Sequence, residues 1–237
     1  MPLLRRFWST DRSLSLLLVS LVLVIFVIQP LQVAGVGSRV LIAVFFSFIL
    51  ISGVGAVARN ALTTAVVGGL VVTSLAVRWL RLWLGGESLM ISDTCVSSLF
   101  CIILAVVVLA QVFREGPVTW YRIQGAVAFY LLLGLAWAGA YELIELRWPN
   151  AFVPTTSAAM SQSAAMNHND DPTARFVYFS FVTLTTVGYG DITAAHPFAR
   201  SLVTLEALIG QLFPAILLAR LVSMELYHRQ AKGLEQR

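Results

Sequence analysis

Charged side chains are expensive in hydrocarbon, and in this chain they are spaced so that long uncharged runs lie between them. Arg12 and Arg39 enclose 26 uncharged residues, Arg39 and Arg59 enclose 19, Arg59 and Arg78 enclose 18, Asp93 and Arg114 enclose 20, and Arg122 and Glu142 enclose 19. A helix needs about 20 mostly apolar residues to cross a bilayer core. The runs predict spans over 14–34, 40–58, 61–80, 93–112 and 123–146, with a last one over 198–224. Only 12% of the residues are charged, against about 25% in soluble domains, which is too few polar groups to cover a globule. A soluble protein, a disordered chain and a nucleic-acid-binding domain are thereby excluded. The pI near 9.4 does not restore the last of these, because the basic residues are scattered at the ends of apolar runs and build no single face. Arg5 and Arg6 precede the first run as they would in a secretory signal. That run is too long for a typical signal core and further spans follow, so a retained first span is expected. The fold class is an all-α polytopic membrane protein with six transmembrane helices. The glycine pairs Gly53/Gly55 and Gly68/Gly69 are expected to let helices approach closely.

The chain changes character after residue 147. Residues 147–172 are rich in Ser, Ala, Asn and Pro and read as an exposed loop. Phe176 to Gly190 follows, an uncharged stretch of 15 residues that is too short to span and ends in glycines. It reads as a re-entrant segment, a backbone tolerated at membrane depth only where it lines a cavity or is buried in protein. With six spans both termini share a side. Ten of the 16 lysines and arginines lie there, which puts the termini in the cytoplasm. Arg78 and Arg81 stand on the wrong side for that rule, and snorkelling to the outer interface is one way to accommodate them. Cys95 and Cys101 read as small buried hydrophobes, and His168, His196 and His228 have no metal-ligand spacing. No catalytic triad, phosphate loop or metal cluster is visible, so an enzyme is not expected.

Residues 183–191 read Thr-Leu-Thr-Thr-Val-Gly-Tyr-Gly-Asp. This stretch resembles the potassium-channel signature TxxTVGYGD. A dehydrated potassium ion needs rings of oxygen in place of its water shell, and backbone carbonyls of four extended loops provide them. The resemblance implies an ion-binding filter of Thr186, Val187, Gly188, Tyr189 and Gly190, with potassium held at Thr186, Val187, Gly188 and Tyr189. Consecutive carbonyls pointing one way need left-handed φ values, which suits glycine at 188 and 190. Thr186 adds its hydroxyl as the innermost ring, Tyr189 is expected to pack against the preceding helix, and Asp191 concentrates cations at the outer mouth.

The resemblance extends outward from the filter. Arg175–Thr185 is similar to the family's pore helix, with Tyr178 and Phe179 in the place of its aromatic cuff and Thr183 and Thr185 supporting the filter. Val182 stands where some members carry a glutamate that bonds the filter-end aspartate, so that bond is expected to be absent. Leu205–Val222 resembles the inner helix, with Gly210 at the hinge position, Gln211 facing the cavity and Pro214 able to kink the helix. Glu206 is expected to bond groups behind the filter.

The first four helices do not resemble a voltage sensor, because the helix over 93–112 contains no arginine or lysine. The expected organisation is a four-helix region over 1–119, a pore domain over 120–225 and a short cytoplasmic tail over 226–237. One chain carries one filter loop and shows no internal repeat, so a homotetramer is implied. The function expected is passive, potassium-selective conduction across a cell membrane, most simply the bacterial inner membrane. Potassium ions and lipid are the partners, with no organic cofactor and no nucleic acid. The alternatives are a weakly selective cation channel and a non-conducting sensor or assembly subunit.

Overall fold

The computed structural model describes residues 14–28, 44, 47, 49, 53, 61–84, 86–113, 119–155 and 173–235. The predicted span over 40–58 lies almost wholly outside these residues. An apolar helix α1 (Leu14–Val27) ends in a π-helical stretch, Val24–Ile28. Helices α2 (Ala61–Leu84), α3 (Glu87–Val112) and α4 (Trp120–Arg147) follow. A strand β1 (Phe152–Pro154), a short helix α5 (Thr173–Leu184), a strand β2 (Ile192–Ala194) and a long helix α6 (Pro197–Glu235) complete the order. Ser88–Val112, Trp120–Arg147 and Pro197–Met224 are long and apolar enough to cross a membrane.

Helix α4 is the organising element: α3 and α5 pack along it, and α2 lies against α3. Its glycines set the closeness of these contacts. A Cβ at Gly125 would meet Val112 at 3.0 Å, one at Gly134 would meet the Phe181 ring at 2.7 Å, and one at Gly139 would fall on the Ser98 hydroxyl. Small residues let helix backbones approach in this way. Gly53 behaves as expected, facing Phe100 and Leu104, whereas a Cβ at Gly68 or Gly69 would meet nothing within 4 Å among the described residues. Gly55 lies outside the described residues.

Two features depart from the expected boundaries. The 147–172 segment begins exposed at 147–150, but Ala151 and Phe152 are then buried and β1 pairs antiparallel with β2, while 156–172 lie outside the described residues. Phe152 inserts its ring among Tyr141, Phe176 and Phe179 at centroid distances of 5.2–5.4 Å. Burying an aromatic ring outweighs the polar composition of the residues around it. The second departure concerns Asp93, which does not begin a helix but lies inside α3. It accepts hydrogen bonds from Arg78 (Nε, 3.3 Å) and Arg81 (Nη1, 3.1 Å) of α2. Both arginines are thus held by a neighbouring carboxylate within the bundle. Asp93→Asn keeps the shape and loses the charge. We expect it to lower stability by about 1.5–3 kcal/mol, the worth of hydrogen bonds to a charged group, read as a lower melting temperature of the purified protein.

Candidate ion-conduction site

The chain folds back after α5 because the last turn of that helix supplies acceptors to the residues that follow. Thr186 N–H donates to the Thr183 carbonyl at 2.9 Å. The N–H groups of Val187 and Gly188 both donate to the Val182 carbonyl, at 3.0 and 3.2 Å. All peptide bonds described are trans. In a trans peptide the C=O points opposite to the N–H. The carbonyls of Thr185, Thr186 and Val187 therefore point away from the helix that holds them, onto one open side. The φ angles explain how this continues: Thr186 (60°), Gly188 (55°) and Gly190 (75°) are left-handed at every second position. Glycine adopts such values freely, and a β-branched residue does so only where its surroundings force it. The left-handed Thr186 has no signal in the sequence.

The supporting side chains are distributed differently from the expected cuff. Tyr178 O–H donates to Asp191 Oδ2 at 2.8 Å, while Asp191 Oδ1 accepts from Ile192 N–H at 3.1 Å. Asp191 therefore has a side-chain partner, although Val182 offers none; the phenol reaches it from a neighbouring turn. Burial, then the Asp191 hydrogen bond and the charges of Asp191 and Tyr189, push the Tyr178 pKa up to about 12, so the phenol remains a donor at neutral pH. Phe179 is buried against Tyr141 and Phe152. Tyr189 does not pack on the preceding helix: it is 70% exposed, and Val187 is 52% exposed. The whole of 185–190 is open in the single chain. Thr183 is buried, and Thr185 turns its hydroxyl back to the Phe181 carbonyl at 2.6 Å.

Helix α6 closes the site from behind and below. Glu206 is fully buried, and its carboxyl group lies 2.5 Å from both the Tyr141 and Ser180 hydroxyls. Its partners thus come from α4 and α5. One turn later the α6 backbone at Gly210 touches the Leu184 backbone, where a Cβ would sit 2.7 Å from the carbonyl carbon. The Leu184 carbonyl also accepts from Tyr130 O–H at 2.9 Å. Gln211 is exposed, with Oε1 at 3.5 Å from the Thr186 hydroxyl, so it stands directly below the loop. Pro214 lies inside α6, which runs on as one helix to Glu235.

Residues 151–226 match a protein-family model described as "Ion channel". Protein LctB of Bacillus caldotenax is 29% identical over 96 residues, 40% of this chain and 66% of that protein. Protein LctB of Geobacillus stearothermophilus is 30% identical over the same length. Two pore potassium channel c of Oryza sativa subsp. japonica is 46% identical over 63 residues, 27% of this chain and 13% of that protein. The matched region spans just under two thirds of the two bacterial relatives. No solved structure matches.

Proposed function

We propose, for a chain that carries an ion channel domain over 151–226 and whose matches support a potassium channel family, that it is the subunit of a homotetrameric, potassium-selective channel. The chain is a channel component and not an enzyme. The observation that carries the proposal is the aligned backbone of 185–188. Three successive carbonyls face one open side, with left-handed φ at alternate residues from Thr186 to Gly190. Carbonyls so arranged replace an ion's water shell when four loops converge on one axis. Thr186, Val187, Gly188, Tyr189 and Gly190 are the proposed ion-binding residues, with Asp191 held at the mouth by Tyr178.

The exposure pattern supports assembly. Leu205, Leu208, Leu212 and Ile216 form an open stripe along α6 at helical spacing, and the Tyr189 ring has no cover from its own chain. A central position for α6, with copies of the chain on either side, accounts for both. The aromatic residues support a membrane placement, and six spans remain the proposed number. Exposed Trp83 and Trp148 lie at one end of the bundle, while exposed Trp120 and Tyr121 lie at the other. This is the pattern of interfacial belts. Cytoplasmic termini remain the proposed orientation.

The test is a reversal potential in planar bilayers or liposomes, with potassium on one side and sodium on the other. We expect a reversal close to the potassium equilibrium potential, without any energy source. Equal permeability replaces the reading with a weakly selective cation channel, and absence of current with a non-conducting subunit.

A further inference from the structure

Helix α6 is the most open of the long helices, yet Glu206 within it has 0% exposure. Its surroundings are specific. From α4, Tyr141 O–H donates to Oε2, and Tyr130 lies close enough to sense its charge. From α5, Ser180 Oγ lies 2.5 Å from Oε1. No cation pairs with it among the described residues, where the ion pairs join Arg78 and Arg81 to Asp93. An ionised carboxylate without a cation is unfavourable in a site closed to water.

Proton counting leads to the same state. Ser180 Oγ also lies 2.8 Å from the Gly134 carbonyl oxygen. A serine hydroxyl carries one proton, and a carbonyl oxygen has none to give. Both Ser180 contacts are hydrogen bonds only when Ser180 donates to Gly134 and Glu206 donates to Ser180. Tyr141, Glu206, Ser180 and the Gly134 carbonyl then form a chain with every donor pointing the same way. It runs from α4 through α6 and α5 back to α4.

We infer that Glu206 works as a neutral carboxylic acid whose proton latches α6 to the back of α5. Its consequence for conduction rests on the channel reading; its protonation does not. Loss of the proton removes the donor to Ser180 and leaves a charge facing only Tyr141, Tyr130 and Ser180. The contact of Gly210 with Leu184 lies one turn further along α6, so release at Glu206 loosens the seat of the loop that follows Leu184. Alkaline conditions therefore favour the released state and neutral or acidic conditions the latched one.

The experiment uses the full chain reconstituted in liposomes, examined by infrared spectroscopy and by potassium flux. At neutral pH the wild-type protein is expected to show the carbonyl stretch of a protonated carboxylic acid, and Glu206→Gln to lack that component. Glutamine can donate to Ser180 and accept from Tyr141. We expect Glu206→Ala to lose flux by about tenfold or more, on the scale of losing buried hydrogen-bond partners, and Glu206→Gln to recover most of it. Flux in the glutamine variant should also lose the decline at alkaline pH that the wild type shows. An infrared difference between wild type and Glu206→Gln without an acid component overturns the inference, as does a glutamine variant that assembles and conducts no better than alanine. A wild-type protein that shows the acid component but passes no potassium overturns the channel reading and leaves the protonation state standing.

Discussion

Replacing Gly188 with alanine is expected to abolish potassium conduction or its selectivity while the chain still inserts into the membrane. Gly188 has φ of 55°, and no heavy atom lies within 4 Å of the place its Cβ would occupy. The cost is therefore in the backbone and not in a collision within the chain. It is on the order of 1–2 kcal/mol per subunit for an L-residue held left-handed. Thr186 already holds such a conformation two residues earlier, so the substitution adds strain to a loop that already carries some. The simplest relaxation rotates the peptide between Val187 and Gly188. That movement takes the Gly188 N–H off the Val182 carbonyl and turns the Val187 oxygen from the open side. In a fourfold pore the change is repeated in every subunit around one narrow path. Thr186→Ala should be milder, since it removes a hydroxyl whose contact with Gln211 is 3.5 Å long and leaves the carbonyls in place. Potassium flux and the potassium/sodium permeability ratio of both variants, with oligomer content checked, decide the matter. Unchanged selectivity in Gly188→Ala would remove the filter assignment.

The second large effect is expected at Gly210. An alanine there places its Cβ on the Leu184 carbonyl group, 2.7 Å from its carbon and 3.0 Å from its Cα. A flexible side chain could swing aside, but this neighbour is backbone at the end of a buried helix, with its oxygen already engaged by Tyr130. Helix α6 must move away from α5 as a whole. Overpacking in a well-packed interior costs about 1–3 kcal/mol. We expect a marked loss of thermal stability and of conduction. Gly68→Ala supplies the contrast, because its Cβ meets nothing within 4 Å. In a helix interior that change should be neutral or stabilising by up to about 1 kcal/mol. A Gly210→Ala protein that melts with the wild type would show that the Gly210–Leu184 contact is dispensable. The pairing also clarifies the glycine itself. It occupies the expected hinge position, and the contact it makes is sufficient reason for a residue without a side chain.

Three apolar helices, Ser88–Val112, Trp120–Arg147 and Pro197–Met224, were legible because charge in hydrocarbon is costly and each overlaps a predicted uncharged run. The short helix α5 and the turn after it were legible because Phe176 to Gly190 is too short to span and ends in glycines. Glu206 was legible in part: an acid in an apolar helix needs partners, but which hydroxyls answer it depends on how three helices pack. Other features carry no local signal. Asp93 looks like a boundary residue in the sequence, and only the packing of α2 on α3 brings Arg78 and Arg81 to it. Tyr178 reads as part of an aromatic cuff, and its bond to Asp191 depends on the path of the chain between them. The left-handed Thr186 opposes the preference of a β-branched residue, so propensity points the wrong way. The 70% exposure of Tyr189 opposes the expectation that its ring packs on the preceding helix, and nothing local to the residue signals it.

The short pairing of β1 with β2 has a practical corollary. Phe152 pairs with Ala194, Val153 with Thr193 and Pro154 with Ile192, and Thr155 N–H donates to the Asp191 carbonyl at 2.8 Å. The chain is thereby fastened immediately before residues 156–172 and again immediately after 185–190. Arg175 donates to the Phe152 carbonyl at 2.8 Å and adds a third fastening, from the start of α5. Both ends of 156–172 are therefore anchored, and an epitope or a fluorescent reporter inserted there is expected to leave α5 and the backbone of 185–190 in place.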